Sequence, residues 1–334
     1  MTVVKMTKDH FVELVLAGGG HDDAVRAARE MKDGDVDARF RIAALALSVA
    51  VVAPEPLVEV YDALTQGWFG AAPDGPDVTG IPERGAVADE LWEGLWDLVF
   101  DPDAGRDPAL ITVRTAALTE HLSPEFHQRV AAMALRYPGV EEAAAAGIPP
   151  KYTLEELAVC PRDSLGGSMH AFVVENGFDL EVLDRDALGL HDLPAPLDYL
   201  NVRILQCHDI WHLVAGHATS GLHEVSVSGF QMAQFGHQYS AMFLGMLFTK
   251  MAFTQPPEAM GFTLDTVLTG YKHGRESPPL IGVEWETLWD QPIPEIRRRL
   301  GVTPYDSPYP AWMLEEMQGP GRASGLTTDL TSRC

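Results

Sequence analysis

The stretch LDYLNVRILQCHDIWHLVAGH (residues 197–217) decides the reading of this chain. Leu200, Ile204, Leu205, Trp211 and Val214 recur near helical spacing, and no proline interrupts them. The stretch therefore predicts one helix. On it His208 and His212 stand four residues apart, so both imidazoles leave the same face on consecutive turns. Asp209 lies beside His212, three positions before it. Two ring nitrogens and a carboxylate oxygen on one helical face make a donor set for a divalent cation. Gly216, Thr219, Ser220 and Gly221 then loosen the chain. Glu224 begins or precedes a second helix and is placed to fold back as a fourth, oxygen ligand. The candidate metal ligands are thus His208, Asp209, His212 and Glu224, and Asp209 and Glu224 are also the candidates for a catalytic base. The competing reading is a hydrogen-bonded helix pair without metal. The donor set is oxygen-rich for a structural zinc site and contains no sulfur. Cys207 points about a hundred degrees from His208 on a helix and reads as a small buried hydrophobe.

Working outward, 334 residues allow one large domain or two. A hydrophobic share of 46% is ordinary for a chain with a sizeable core. The net charge of −24 excludes nucleic acid as an expected partner, because phosphate binding needs basic patches. Cys160, Cys207 and Cys334 supply no disulfide framework, which fits a reducing, cytoplasmic setting. The amino terminus, MTVVKMTKDHFVELV, lacks the pattern of a signal peptide. The most apolar run, RIAALALSVAVVA (41–53), is too short to span a bilayer and reads as a buried helix.

The first 150 residues read as helices without a catalytic constellation. Asp22 or Asp23 is expected to cap a helix over 23–31, and Asp35 one over 36–53. Residues 70–85 are a Gly/Pro-rich loop. Helices are predicted over 88–100, 109–121, 124–136 and 140–147, with Ser123-Pro124 as a capped start. Residues 164–177 form another, where Gly166 and Gly167 mark a close approach or a tight turn. A loop with a short helix is expected over 178–196, and 254–261 (TQPPEAMG) as a hinge. Residues 225–253 are a Met- and Phe-rich helix or helix pair. Gln231, Gln234, His237, Gln238 and Lys250 argue against a lipid-spanning role for it. It is either a core helix or the wall of an apolar cavity, with Phe230, Phe235, Met242, Phe243 and Met246 as candidate lipid contacts and Gly229, Gly236 and Gly245 thinning the wall. Arg297, Arg298 and Arg299 close a helix within 283–300, where they complement its dipole or meet a headgroup. The tail from 303 wraps or is disordered. The expected fold class is all-α, with three regions: 1–150, 151–302 and 303–334.

His-Asp-x-x-His-x(11)-Glu resembles the signature of the coenzyme Q (ubiquinone) biosynthesis protein 4 family. CPRDSLGGSMHAFVVENGFD (160–179) and YKHGRESPPLIGVEWETLWDQPIPEIRRRLGV (271–302) are similar to two further blocks of that family, in the same order. The likeness covers about 150–302; residues 1–150 are a long extension. This sequence departs from the pattern at Leu205, where the family has a basic residue, at Gln206, where it has an acidic one, and at His223, where Gly is common. Arg203 remains nearby as a candidate substrate-binding cation.

The resemblance implies a polyprenylated aromatic carboxylate as substrate, metal-dependent oxidative decarboxylation of its ring as the reaction, and the Met/Phe-rich run as the tail-binding surface. The ion is expected to be zinc, with iron or manganese as alternatives. Zinc itself cannot change redox state, and the spacing does not separate the three. A second reading is a non-catalytic lipid-binding scaffold that presents quinone intermediates to partner biosynthetic enzymes. A third, a metal-dependent phosphohydrolase, would recruit His170 and Asp265, and the x(11)-Glu spacing speaks against it. A homo-oligomer, peripheral on the inner membrane, completes the expectation.

Overall fold

The computed structural model of the chain describes residues 6–104, 108–177 and 192–318. The fold is all-α. Among the described residues there is no strand, only an isolated antiparallel bridge between Ser164 and Pro292. In chain order the helices are α1 (Lys8–Ala17), α2 (His21–Lys32), α3 (Ala38–Val51), α4 (Leu57–Phe69), α5 (Asp89–Phe100), α6 (Pro108–Thr119), α7 (Pro124–Ala134), α8 (Val140–Ala146), α9 (Leu154–Ala158), α10 (Leu165–Asn176), α11 (Leu197–Trp211), α12 (Gly221–Phe235), α13 (Gln238–Thr254), α14 (Pro257–Glu276), α15 (Ile293–Leu300) and α16 (Met313–Gln318). Among the described residues no helix is long and apolar enough to cross a membrane. Most of the loop expected over 178–196 lies outside the described residues.

The helix ends follow local chemistry. Ser123 accepts from the Phe126 N–H at 3.2 Å, with Pro124 in the first turn of α7, as the dipeptide predicts. Thr153 and Glu156 form a reciprocal capping box at α9. α2 starts earlier than expected: Gly20 is the residue before it, and Asp22 and Asp23 lie in its first turn, Asp23 reaching back to the Gly20 N–H. Two further expectations change. The residue before α3 is Asp37, and Asp35 instead accepts from the Asp37 N–H at 3.0 Å, closing the turn ahead of the helix. The expected hinge shrinks to Gln255 and Pro256, because Pro257 opens α14; a proline there forgoes only an N–H that would have no helical partner.

Backbone contacts divide the chain into two compact units, each discontinuous in sequence: Met1–Pro138 with Val225–Glu276, and Gly139–Glu224 with Ser277–Cys334. In the first unit α13 lies along α3, whose residues Ile42, Ala43, Ala46, Leu47 and Ala50 are fully enclosed. Glycines set how close these helices come. A Cβ at Gly245 would lie 3.0 Å from the Leu47 Cα, and one at Gly229 would lie 2.6 Å from the Val267 carbonyl oxygen. Opposite Gly229, a Cβ at Gly274 would meet the Phe230 oxygen at 2.5 Å, and one at Gly270 would collide with the Ser226 carbonyl. At Gly229 and Gly245 the expected thinned wall is thus packed on neighbouring backbone, whereas a Cβ at Gly236 would meet the Tyr137 ring at 2.9 Å. We expect Gly270→Val to destabilise the first unit by about 1–3 kcal/mol, the usual range for overpacking. Denaturant titration checks this; a change below about 0.5 kcal/mol, the scale of a neutral surface substitution, would refute it.

The Met- and Phe-rich run is a helix pair, broken at Gly236, whose φ of +65° favours glycine. Phe230, Phe235, Met242 and Met246 are buried in the first unit, and Phe243 is half-buried with its ring stacked on Tyr239. Beneath them Asp62 accepts two hydrogen bonds from Arg275, both at 3.0 Å, and one from the Tyr271 hydroxyl at 2.8 Å.

The second unit is built on α10 and α11. The close-approach reading of Gly166 and Gly167 holds: a Cβ at Gly166 would lie 2.6 Å from the Cys160 sulfur, and one at Gly167 would strike the Pro161 carbonyl. α11 buries Leu197, Leu200, Ile204, Cys207, Ile210 and Trp211. Arg203 on this helix is 1% exposed. It donates to both Glu286 carboxylate oxygens, at 2.5 and 3.2 Å, to the Val283 carbonyl and to Gln206.

Candidate metal centre

The helix predicted over 197–217 stops being α-helical at Trp211. His212–Gly216 forms a π-turn. Such a turn widens the ring of each hydrogen bond and is most often found at functional sites. Gly216 ends it with φ +86°, and a Cβ there would lie 3.1 Å from Pro304 and from the Tyr305 nitrogen. Only glycine suits both demands. The carbonyls released by the turn find donors in the carboxy-terminal segment. Arg297 reaches Val214 and Leu213 oxygens, both at 2.8 Å, and the Tyr305 N–H reaches Ala215 at 2.7 Å. Arg297 therefore acts on the π-turn, while Arg298 pairs with Glu295 at the surface.

His208, His212 and Glu224 converge. One ligand atom from each lies within 4.8 Å of the others. The His212 Nε2 is 3.3 Å from one Glu224 oxygen, and the His208 Nε2 is 3.6 Å from the other. The His212 ring is 2% exposed. Its Nδ1 faces two carbonyls, Ala218 at 3.0 Å and His217 at 3.2 Å. Since carbonyls only accept, Nδ1 carries a proton; in the neutral ring the lone pair then sits on Nε2, toward Glu224, and in the charged ring that nitrogen donates to the carboxylate. Asp209 stands outside this group and accepts from, or shares a proton with, the His208 Nδ1 at 3.2 Å. His170 and Asp265 do not join it; Asp265 accepts from Trp68 at 2.5 Å in the first unit.

The charges in this cluster are mutually set. Burial works against a charge on His208, but the Asp209 hydrogen bond and the Glu224 and Asp209 carboxylates outweigh it and hold the imidazole above its ordinary value. Burial would raise Glu224, yet the His212 charge and hydrogen bond, followed by His208 and His223, bring it down to about 2. The donors suit a divalent cation. Two imidazole nitrogens and an ionised carboxylate gather at one point, and the one fully buried member has its lone pair aimed there by backbone carbonyls.

An all-α chain that brings two histidines and a glutamate together beside a π-turn defines a helical protein with a candidate metal centre. Residues 149–306 match the family described as coenzyme Q (ubiquinone) biosynthesis protein Coq4. Curated relatives named ubiquinone biosynthesis protein COQ4 homolog, mitochondrial, from Drosophila ananassae and Drosophila melanogaster are each 28% identical over 155 residues, 44% of this chain and 53% of theirs. The homologue from Drosophila grimshawi is 26% identical over 157 residues. The chain thus spans about half the length of the curated relatives it matches. A crystal structure of a candidate ubiquinone biosynthesis protein from Nostoc punctiforme aligns with a TM-score of 0.49 and 23% identity, over 64% of this chain and 98% of that one.

Proposed function

We propose that this protein binds a divalent cation through His208, His212 and Glu224 and acts there on a polyprenylated aromatic carboxylate of ubiquinone biosynthesis, removing the ring carboxylate. The convergence of the three donors within 4.8 Å carries this reading. A cation held by them supplies positive charge that stabilises the carboxylate and phenolate oxygens as negative charge develops on the ring. Zinc suits the nitrogen and oxygen donors, and iron or manganese would accept the same set. Asp209, beside the His208 Nδ1 and outside the three-donor group, is the carboxylate we assign to proton movement; the alternative base is Glu224. The carboxylate leaves as carbon dioxide and its electron pair stays on the ring carbon; two electrons then pass to dioxygen, which leaves as hydrogen peroxide, and water supplies the hydroxyl at that carbon. Arg203, enclosed by Glu286, serves the fold rather than the headgroup.

The test is elemental analysis of gently purified protein, followed by incubation with a polyprenyl-hydroxybenzoate under air. Stoichiometric metal with metal-dependent release of carbon dioxide supports the proposal. Metal and tightly bound lipid without release would favour the scaffold that presents quinone intermediates to partner enzymes. No metal after soaking would overturn both. Affinity for the ion should also depend on pH in a defined direction. Ligation needs neutral imidazoles, and His208 is held above its ordinary 6.5. Protons therefore compete below that raised value, and affinity falls there with a slope that approaches about tenfold per pH unit for the one proton displaced. Glu224, at about 2, stays ionised across the whole range and sets no limit. Calorimetric titrations with Zn²⁺ between pH 5.5 and 8 read this out; a flat profile would contradict it.

A further inference from the structure

We propose that His223 is a positioning residue for the candidate metal centre: its Nδ1 anchors the Ala218 N–H, and so holds in place the 217–218 peptide whose carbonyl, that of His217, faces the His212 Nδ1 and helps keep the neutral ring's lone pair on Nε2. The inference rests on the metal reading above and goes beyond it to a residue outside the donor set.

The geometry forms a short chain of contacts. The Ala218 N–H donates to the His223 Nδ1 at 2.6 Å. That N–H shares its planar peptide with the His217 carbonyl, which accepts from the His212 Nδ1 at 3.2 Å; the Ala218 carbonyl, in the next peptide, accepts from the same nitrogen at 3.0 Å. The 217–218 peptide lies in the non-helical segment between the π-turn and α12. One side chain therefore helps set the position of a carbonyl that in turn sets a tautomer. His223 is itself immobilised. It is 5% exposed, on the first turn of α12, and packs edge-on against Tyr305 with ring centres 5.4 Å apart. His217 stacks on the other portion of the same Tyr305, at 4.3 Å and 17°. The segment 217–218 is thus gripped at both ends, and Tyr305 is tied by its own N–H to the π-turn. Partners of this kind orient a ligating imidazole and raise its basicity, and their removal weakens metal binding about 10–100-fold.

The prediction separates the two nitrogens of His223. Asparagine places an acceptor where Nδ1 stands; glutamine places its polar group where Nε2 stands. Full-length wild type, His223→Asn and His223→Gln are titrated with Co²⁺, and visible absorption reports affinity and coordination. We expect His223→Asn to bind Co²⁺ within about threefold of wild type and His223→Gln to bind it about 10–100-fold more weakly. A merely structural role would move both variants alike. Glutamine binding as tightly as wild type, or asparagine failing to rescue, overturns the inference. If His223→Gln does not fold, wild-type protein with ¹⁵N-labelled histidine decides the matter. A scalar coupling across the hydrogen bond between the Ala218 amide and the His223 Nδ1, with the His212 proton on Nδ1, is expected; its absence overturns the proposal. Wild type that binds no Co²⁺ overturns the metal reading itself, an outcome distinct from equal binding by all three proteins.

Discussion

Replacing His212 with alanine should abolish stoichiometric binding of a divalent cation. The variant is expected to lose affinity by well over a hundredfold, more than the loss typical of a partner outside the donor set. The reason lies in what His212 alone provides. His208 and Glu224 are each about one third to one half exposed, so their donor atoms exchange with water. His212 is buried, its tautomer is set by the Ala218 and His217 carbonyls, and its Nε2 lies 3.3 Å from Glu224. It is the rigid member against which the other two close. Without it two mobile donors remain, and ordering them costs entropy that a single ion must offset. Calorimetry with Zn²⁺ on His212→Ala and on Glu224→Gln measures the effect. The glutamine variant keeps a neutral oxygen donor and should retain more affinity than His212→Ala. A His212→Ala protein that still holds one ion per chain would remove the site from where we place it.

Arg203→Met should be the most destabilising of the single changes considered, at about 3–5 kcal/mol. Its guanidinium is 1% exposed and serves Glu286, the Val283 carbonyl and Gln206 together. Methionine matches much of the volume but leaves the Glu286 carboxylate, only 22% exposed, without its cation and the Val283 oxygen without a donor. Breaking one side of a buried pair leaves the other charge desolvated, which is where the loss arises. The double variant Arg203→Met/Glu286→Leu should recover a large part of it, because an apolar pair needs no partner. Denaturant unfolding of the four proteins in the cycle measures this. Equal losses in the single and double variants would show that the pair is not the source. The same cycle bears on the catalytic reading: if Arg203 met substrate, the double variant would regain stability without regaining ligand affinity.

How far these features could be read in the sequence depends on what kind of partner each one has. The helices and the all-α class follow from periodicity and from caps such as Ser123-Pro124, which are local. His208, His212 and Glu224 are also visible, because spacing along a helix and one short turn places them together. Asp209 lies 3.2 Å from the His208 Nδ1, a contact that its spacing to His212 does not announce. α14 could have been found from Pro257 at its start and the recurrence of Met260, Leu264, Val267 and Tyr271, but the Pro256-Pro257 pair suggested a loop. The partners of the site were not legible. His212 is fixed by carbonyls of residues 217 and 218, and Arg297 serves carbonyls of 213 and 214. Every residue has a carbonyl, so no letter of the sequence announces which one is used. Arg203 is the same lesson at long range: its partner Glu286 lies in another part of the chain, and an arginine near a presumed site looks the same whether it meets a ligand or a buried carboxylate.

The three donors lie between positions 208 and 224, joined by one turn and one short segment. Closing so short a loop costs little chain entropy, since that cost grows only with the logarithm of length. An unfolded chain can therefore chelate the same ion, without the tautomer control and without the burial. An ion that binds both states stabilises the native one only by the ratio of the two affinities. In the proposed metal-bound form, the rise in thermal midpoint on saturation with metal would thus be set by the π-turn and its carbonyls rather than by total affinity.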